Sequence, residues 1–111
     1  YDVTLPFAVR LIIDYPGGRR HAIFDVAAPI SAKKVRIFFF VARNFDHDKP
    51  AEEIMGWERR ILGEDKPVVE SQRPEELPLD LSEEFHIKAD RTSIAYRQAL
   101  ARLGLGKTMT A

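Results

Sequence analysis

From Thr4 to Tyr15 the chain alternates. Leu5, Phe7, Val9, Leu11 and Ile13 fall on one side, and Ala8, Arg10, Ile12 and Asp14 on the other. Period-two order with β-branched residues predicts a strand. Pro16-Gly17-Gly18 supplies a turn, with glycines available for positive φ. RRHAIFDVAAP (19–29) then predicts a second strand, antiparallel to the first across that turn. Pro29 to Lys34 form the next connection. KVRIFFFVARNF (34–45) predicts a third strand. It is apolar on both faces, so it is expected to be central or covered on both sides.

The period then changes. Asp48-Lys49-Pro50 has the form of a helix start: an N-cap acid, a Pro within the first turn, then Glu52 and Glu53 near the positive end of the helix dipole. At about 100° per residue, Ile54, Trp57, Ile61, Val68 and Gln72 fall within a narrow stripe, with Asp65 at its centre. Glu58, Arg59, Arg60, Lys66 and Glu70 mostly point elsewhere. Residues 73–90 read as an irregular crossover, because Pro74 and Pro78 prevent regular helix. Asp90 can cap a final helix with Tyr96, Leu100 and Leu103 inward and Gly104 at the stop position. The tail LGKTMTA has little to hold it.

The predicted fold class is α+β: an antiparallel sheet followed by a long C-terminal helix that covers one face. This is part of a helix-grip fold, of the START or Bet v kind, in which a sheet wraps a helix around a cavity. Three strands are few for such a fold. The absence of an initiating Met at Tyr1 points the same way, toward a chain cut from something longer.

Composition narrows the function classes. The 111 residues are one domain by length, 45% hydrophobic and 31% charged, the balance of a soluble globular protein. No apolar run reaches the ~18 residues that span a membrane, so no membrane role is expected. Net charge is zero, which argues against nucleic acid as the partner. The zero hides an asymmetry: residues 44–91 carry seven bases and fourteen acids, read as a solvated acidic face. Without Cys there is no disulfide, thiolate metal site or Cys nucleophile; this fits a cytoplasmic protein.

Asp65 carries the sharpest question. An unpaired ionised carboxylate in an apolar setting is costly. Four outcomes relieve the cost: pairing with an Arg such as Arg10 or Arg43, protonation, opening to water at a pocket, or coordination of a metal ion. Gly63 is a poor mid-helix residue, and Pro67 cannot donate to the Gly63 carbonyl and is expected to kink the helix. Local rule-breaking of this kind marks functional positions.

The run GEDKPVVESQRPEELPLDLSEEFHIKADRTSIAYRQAL resembles the C-terminal end of the oxygenase component of Rieske non-heme iron oxygenases. The branch is the vanillate O-demethylase-like one, which includes dicamba-type O-demethylases. FFFVARNF resembles the family's last strand before the long helix. The resemblance implies a catalytic domain holding one Fe(II) by two His and one carboxylate. Carried over, the carboxylate of the ED pair is Asp65, and Glu64 turns toward solvent or a subunit interface. The family's two His come from a D-x-x-H-x-x-x-x-H segment that this chain lacks, and the Cys-His pairs of the [2Fe-2S] Rieske cluster are also missing. The chain therefore resembles only the last third of such an oxygenase and is expected to be inactive alone. The whole enzyme implied is a homotrimer. It would take electrons from a reductase or ferredoxin through a neighbouring subunit's cluster, and use O₂ to hydroxylate or O-demethylate a small, aromatic substrate.

The other candidates divide. Trp57, Ile61 and Ile54 are core residues on spacing alone; the resemblance implies that they line the substrate cavity. Arg10 and Asp25 are polar breaks in two strands, read as outward-facing; the resemblance implies a substrate contact, with Arg10 suited to an aromatic acid by bidentate pairing. His21, just after a turn, is expected to be exposed. His47 lies in Asp46-His47-Asp48, read as a capping loop, and His86 is structural. Two other classes compete with the enzyme fragment. One is a stand-alone helix-grip module binding an apolar small molecule. The other is a structural domain with Asp65 in an ion pair.

Overall fold

A computed structural model describes residues 1–105. Four strands form one antiparallel meander in the order β1 (Asp2–Thr4), β2 (Ala8–Tyr15), β3 (Arg19–Ser31) and β4 (Lys34–Arg43). Two helices follow, α1 (Ala51–Glu70) and α2 (Arg91–Arg102). The chain divides into two compact units, Tyr1–Pro67 and the residues from Val68 on. No helix of the described residues is long and apolar enough to cross a membrane.

The expected first strand is two strands. Residues 5–7 turn rather than extend, so Leu5 and Phe7 do not join the apolar side of β2; Pro6 lacks the N–H a ladder needs. The turn at Pro16-Gly17-Gly18 forms with both glycines at positive φ, 78° and 74°. Asn44 ties it down: its Oδ1 accepts from the Arg20 amide at 2.6 Å and its Nδ2 donates to the Gly18 carbonyl at 3.0 Å. That turn sets the register of β2 on β3, with Ile13 opposite His21 and Val9 opposite Asp25.

The sheet has two different faces. One carries the cross-strand rows Ile13–His21–Arg43, Leu11–Ile23–Val41 and Val9–Asp25–Phe39, all buried or half-buried. The other carries Arg10–Phe24–Phe40, and Phe40 is 65% exposed. Among the described residues β4 is thus one of the two edge strands of the meander, not a central one, and its Phe38 and Phe40 are exposed. Apolarity on both sides reports what a strand is built to contact; short hairpin connections decide its rank in the sheet.

α1 begins directly after Pro50 and continues through Pro67 to Glu70 as one helix. No break accompanies the missing Pro67 donor. In the second unit, two 3₁₀ turns at Leu81–Glu83 and Lys88–Asp90 order the crossover. His86 Nε2 lies 3.1 Å from the Leu81 carbonyl, a structural role as expected. Asp90 precedes α2, but its carboxylate accepts from the Ile87 amide behind it at 2.8 Å rather than capping the helix. Arg97, buried, pairs with Glu84, and Leu100, 7% exposed, is the buried core hydrophobic among the described residues. Tyr96 is half-buried and Leu103 is exposed, against the expectation that it faces inward.

α2 stops where Gly104 predicts. Gly104 has φ 76°, its amide donates to the Ala101 carbonyl, and Leu105 donates to Leu100. This is the Schellman pattern, which needs a left-handed residue. Gly104→Ala should cost about 1 kcal/mol, read as faster amide exchange at Leu103 and Leu105.

Candidate functional site

The most buried ionisable groups of the Tyr1–Pro67 unit face one another between β3 and α1. His21 is 5% exposed and Glu58 4%. His21 Nε2 stands 3.3 Å from Glu58 Oε1. The two atoms are not aligned as a hydrogen bond, so each keeps unspent bonding capacity. Burial pushes the Glu58 carboxyl up; His21 opposes this and Asp25 adds to it. Burial also pushes Asp25 up, and its Oδ1 is buried without a hydrogen-bond partner. Arg43, opposite His21 on β4, donates from Nη2 to the Lys49 carbonyl at 2.9 Å, while its Nη1 is buried and unpartnered. Beside this cluster a cavity of about 180 Å³ is lined by Tyr15, His21, Arg43, Phe45, Ile54 and Trp57.

Two expectations are corrected here. His21 is buried, not exposed, because the turn at residues 16–18 puts it opposite Ile13, on the apolar face. Glu58 is the most buried residue of α1, not an outward one. Its position is about 40° from Ile54 around the helix, inside the covered arc.

The residues predicted for the site are partly brought together. Ile54 and Trp57 line the cavity, although Trp57 is 48% exposed. Ile61 is half-buried on the same helix. Asp25 turns to the Glu58 side, against the outward reading. Arg10 lies on the opposite face of the sheet, where it pairs with Asp2 at 2.7 Å; the structure does not bring it to the cavity.

Asp65 is exposed, not buried. It takes no ion pair or hydrogen bond from the described residues, so neither Arg10 nor Arg43 is its partner. Its direction nevertheless fits the expected stripe. It follows Glu58 by seven residues, about 20° short of two full turns and about 10 Å further along the axis. Glu64 turns outward and pairs with Arg60 at 3.4 Å. His47 is exposed in a loop that Asp46 and Lys49 close at 2.6 Å. Among the described residues no three His, Cys, Asp or Glu are grouped to hold a metal ion. The residues present therefore do not fit a complete iron site; Asp65 could supply one ligand of it.

The comparisons agree with one another. Two curated relatives from Pseudomonas putida are similar along nearly the whole chain. Methylxanthine N1-demethylase NdmA is 34% identical over 93% of this chain and 28% of its own length. Methylxanthine N3-demethylase NdmB is 30% identical over 95% of this chain and 29% of its own. The solved structure of Pseudomonas putida CBB5 NdmA superposes with a TM-score of 0.77 at 33% identity, covering 89% of this chain and 29% of that one. The chain thus spans under a third of the length of the relatives it matches. A family model, the vanillate O-demethylase oxygenase C-terminal domain, matches residues 1–105; the chain belongs to that family.

Proposed function

We propose that this chain is the C-terminal part of the catalytic domain of a Rieske-type oxygenase, and that Asp65 is the carboxylate ligand of its mononuclear Fe(II). The observation that carries this is the rotation of Asp65 onto the same face of α1 as the buried Glu58, in a chain of this oxygenase family. The two His ligands and the [2Fe-2S] cluster would come from the rest of the protein. The bound iron would supply O₂ activation, with electrons from a reductase or ferredoxin. The helix-grip architecture, the homotrimer and a cytoplasmic location belong to the same reading.

The relatives and the family name together favour a substrate with a methyl group on a nitrogen or oxygen of a small planar ring. Demethylation by methyl hydroxylation consumes one O₂, two electrons and two protons. It leaves water and an N- or O-hydroxymethyl product that releases formaldehyde. In this chain Ile54, Trp57 and Ile61 would present apolar surface to the ring, and Asp25 a polar atom. The test is formaldehyde release by the iron-loaded full-length protein with a reductase, using N-methylated heterocycles and methoxyaromatic acids. Release that depends on O₂ and reductase is expected. No formaldehyde from either class would sink the demethylase reading. Aromatic binding without iron would then favour the apolar ligand-binding module.

A further inference from the structure

One cross-strand pair reaches both α1 and the segment just ahead of it. His21 and Arg43 sit directly opposite each other on β3 and β4. His21 meets Glu58, about two turns into the helix, at 3.3 Å. Arg43 Nη2 meets the Lys49 carbonyl, just ahead of the helix, at 2.9 Å. Apolar packing is non-directional and permits a helix to slide and roll on a sheet. The Arg43 contact is a charge-assisted hydrogen bond and so directional, and the buried His21–Glu58 approach adds a second fixed point further along the axis; together they limit both rotation and axial position. A buried His–Glu pair is a weak source of stability compared with apolar residues of similar volume. What it adds over such residues is a fixed geometry.

We infer that the His21–Arg43 pair is a clamp that sets the register of α1 and thereby positions Asp65. This rests on the reading of Asp65 as an iron ligand. The clamp holds the lead-in to the helix at Lys49 and the helix itself at Glu58, and Asp65 is carried seven residues beyond the second grip. His21, Arg43 and Glu58 are positioning residues: they act on the metal through the helix.

The experiment uses the full-length protein, stripped of iron and titrated with Fe(II), with thermal melting measured in parallel. His21→Leu/Glu58→Leu replaces the buried pair by apolar residues. Its melting temperature should stay near the parent's while its Fe(II) affinity falls roughly 10- to 100-fold, the range for residues that orient metal ligands. Arg43→Met, which cuts the other arm, should weaken Fe(II) binding in the same direction and serves as the readout if the double variant does not fold. Asp65→Ala is titrated alongside. Parental affinity in the double variant or in Arg43→Met, beside a weakened Asp65→Ala, overturns the clamp alone. Parental affinity in Asp65→Ala overturns the ligand assignment and the clamp with it.

Discussion

Asp65→Ala in the full-length protein is expected to leave iron at the background of metal-stripped protein and to abolish formaldehyde release. Residues that only orient a metal ligand cost 10- to 100-fold in metal affinity or activity when removed, so loss of a direct ligand should exceed about 100-fold. Stability should hardly change. Asp65 is exposed and unpaired among the described residues, and such surface substitutions stay within about 0.5 kcal/mol. Metal analysis and a melting curve on one preparation therefore separate lost ligation from lost folding. Retained iron and turnover would remove Asp65 from the site. A fall in melting temperature with iron retained would instead favour the structural reading, in which Asp65 takes an ion pair.

The contrast between Asp65 and Glu58 shows what the sequence made legible. Helical period put Asp65 within the stripe of Ile54 and Ile61, and the structure keeps it on that side in rotation, about 20° from Glu58. Period carries no information about which turns of a helix are covered, so the burial expected for Asp65 landed two turns earlier, on Glu58. The signal for Glu58 was present, since seven residues return almost to the same face. A charged residue there reads as solvent-facing unless its partner is known, and the partner lies 37 positions away on β3.

His21 was findable by register. Counting outward from the turn at residues 16–18 places it opposite Ile13, and Asp25 opposite Val9. Both then belong to the apolar face, whatever their polarity. The second and third expected strands, the two helices and the Gly104 stop were legible because each depends on local chemistry: alternation, turn glycines, an N-terminal Pro and a left-handed C-cap. The rank of β4 was not, because it depends on which strands pair. The small strand β1 was hidden because Pro6 sits inside an alternating run that otherwise reads as continuous.

The second large effect belongs to His21→Leu alone, and its sign depends on pH. His21 is the group that holds the Glu58 carboxyl down, against burial and against Asp25. Removing it leaves the buried Glu58 carboxyl without the imidazole nitrogen that stands 3.3 Å from it. Leaving an ionised carboxyl buried without its partner costs about 3 kcal/mol or more. The Glu58 pKa is already raised in the folded protein, so the folded state binds more protons than the unfolded one between the two pKa values. Stability from this group is present below the unfolded value, about 4.3, and declines as pH rises through the folded one. His21→Leu lifts the folded pKa further and widens that window upward. The variant should therefore melt below the parent at pH 8, and the gap should narrow as pH falls toward 4, where Glu58 is protonated in the folded protein and mostly so in the unfolded one. Glu58→Gln added to His21→Leu should recover most of the loss at pH 8 and little at pH 4, because the amide has no charge to bury. A gap that is constant between pH 4 and 8 would mean that His21 contributes packing volume and no electrostatic hold on Glu58.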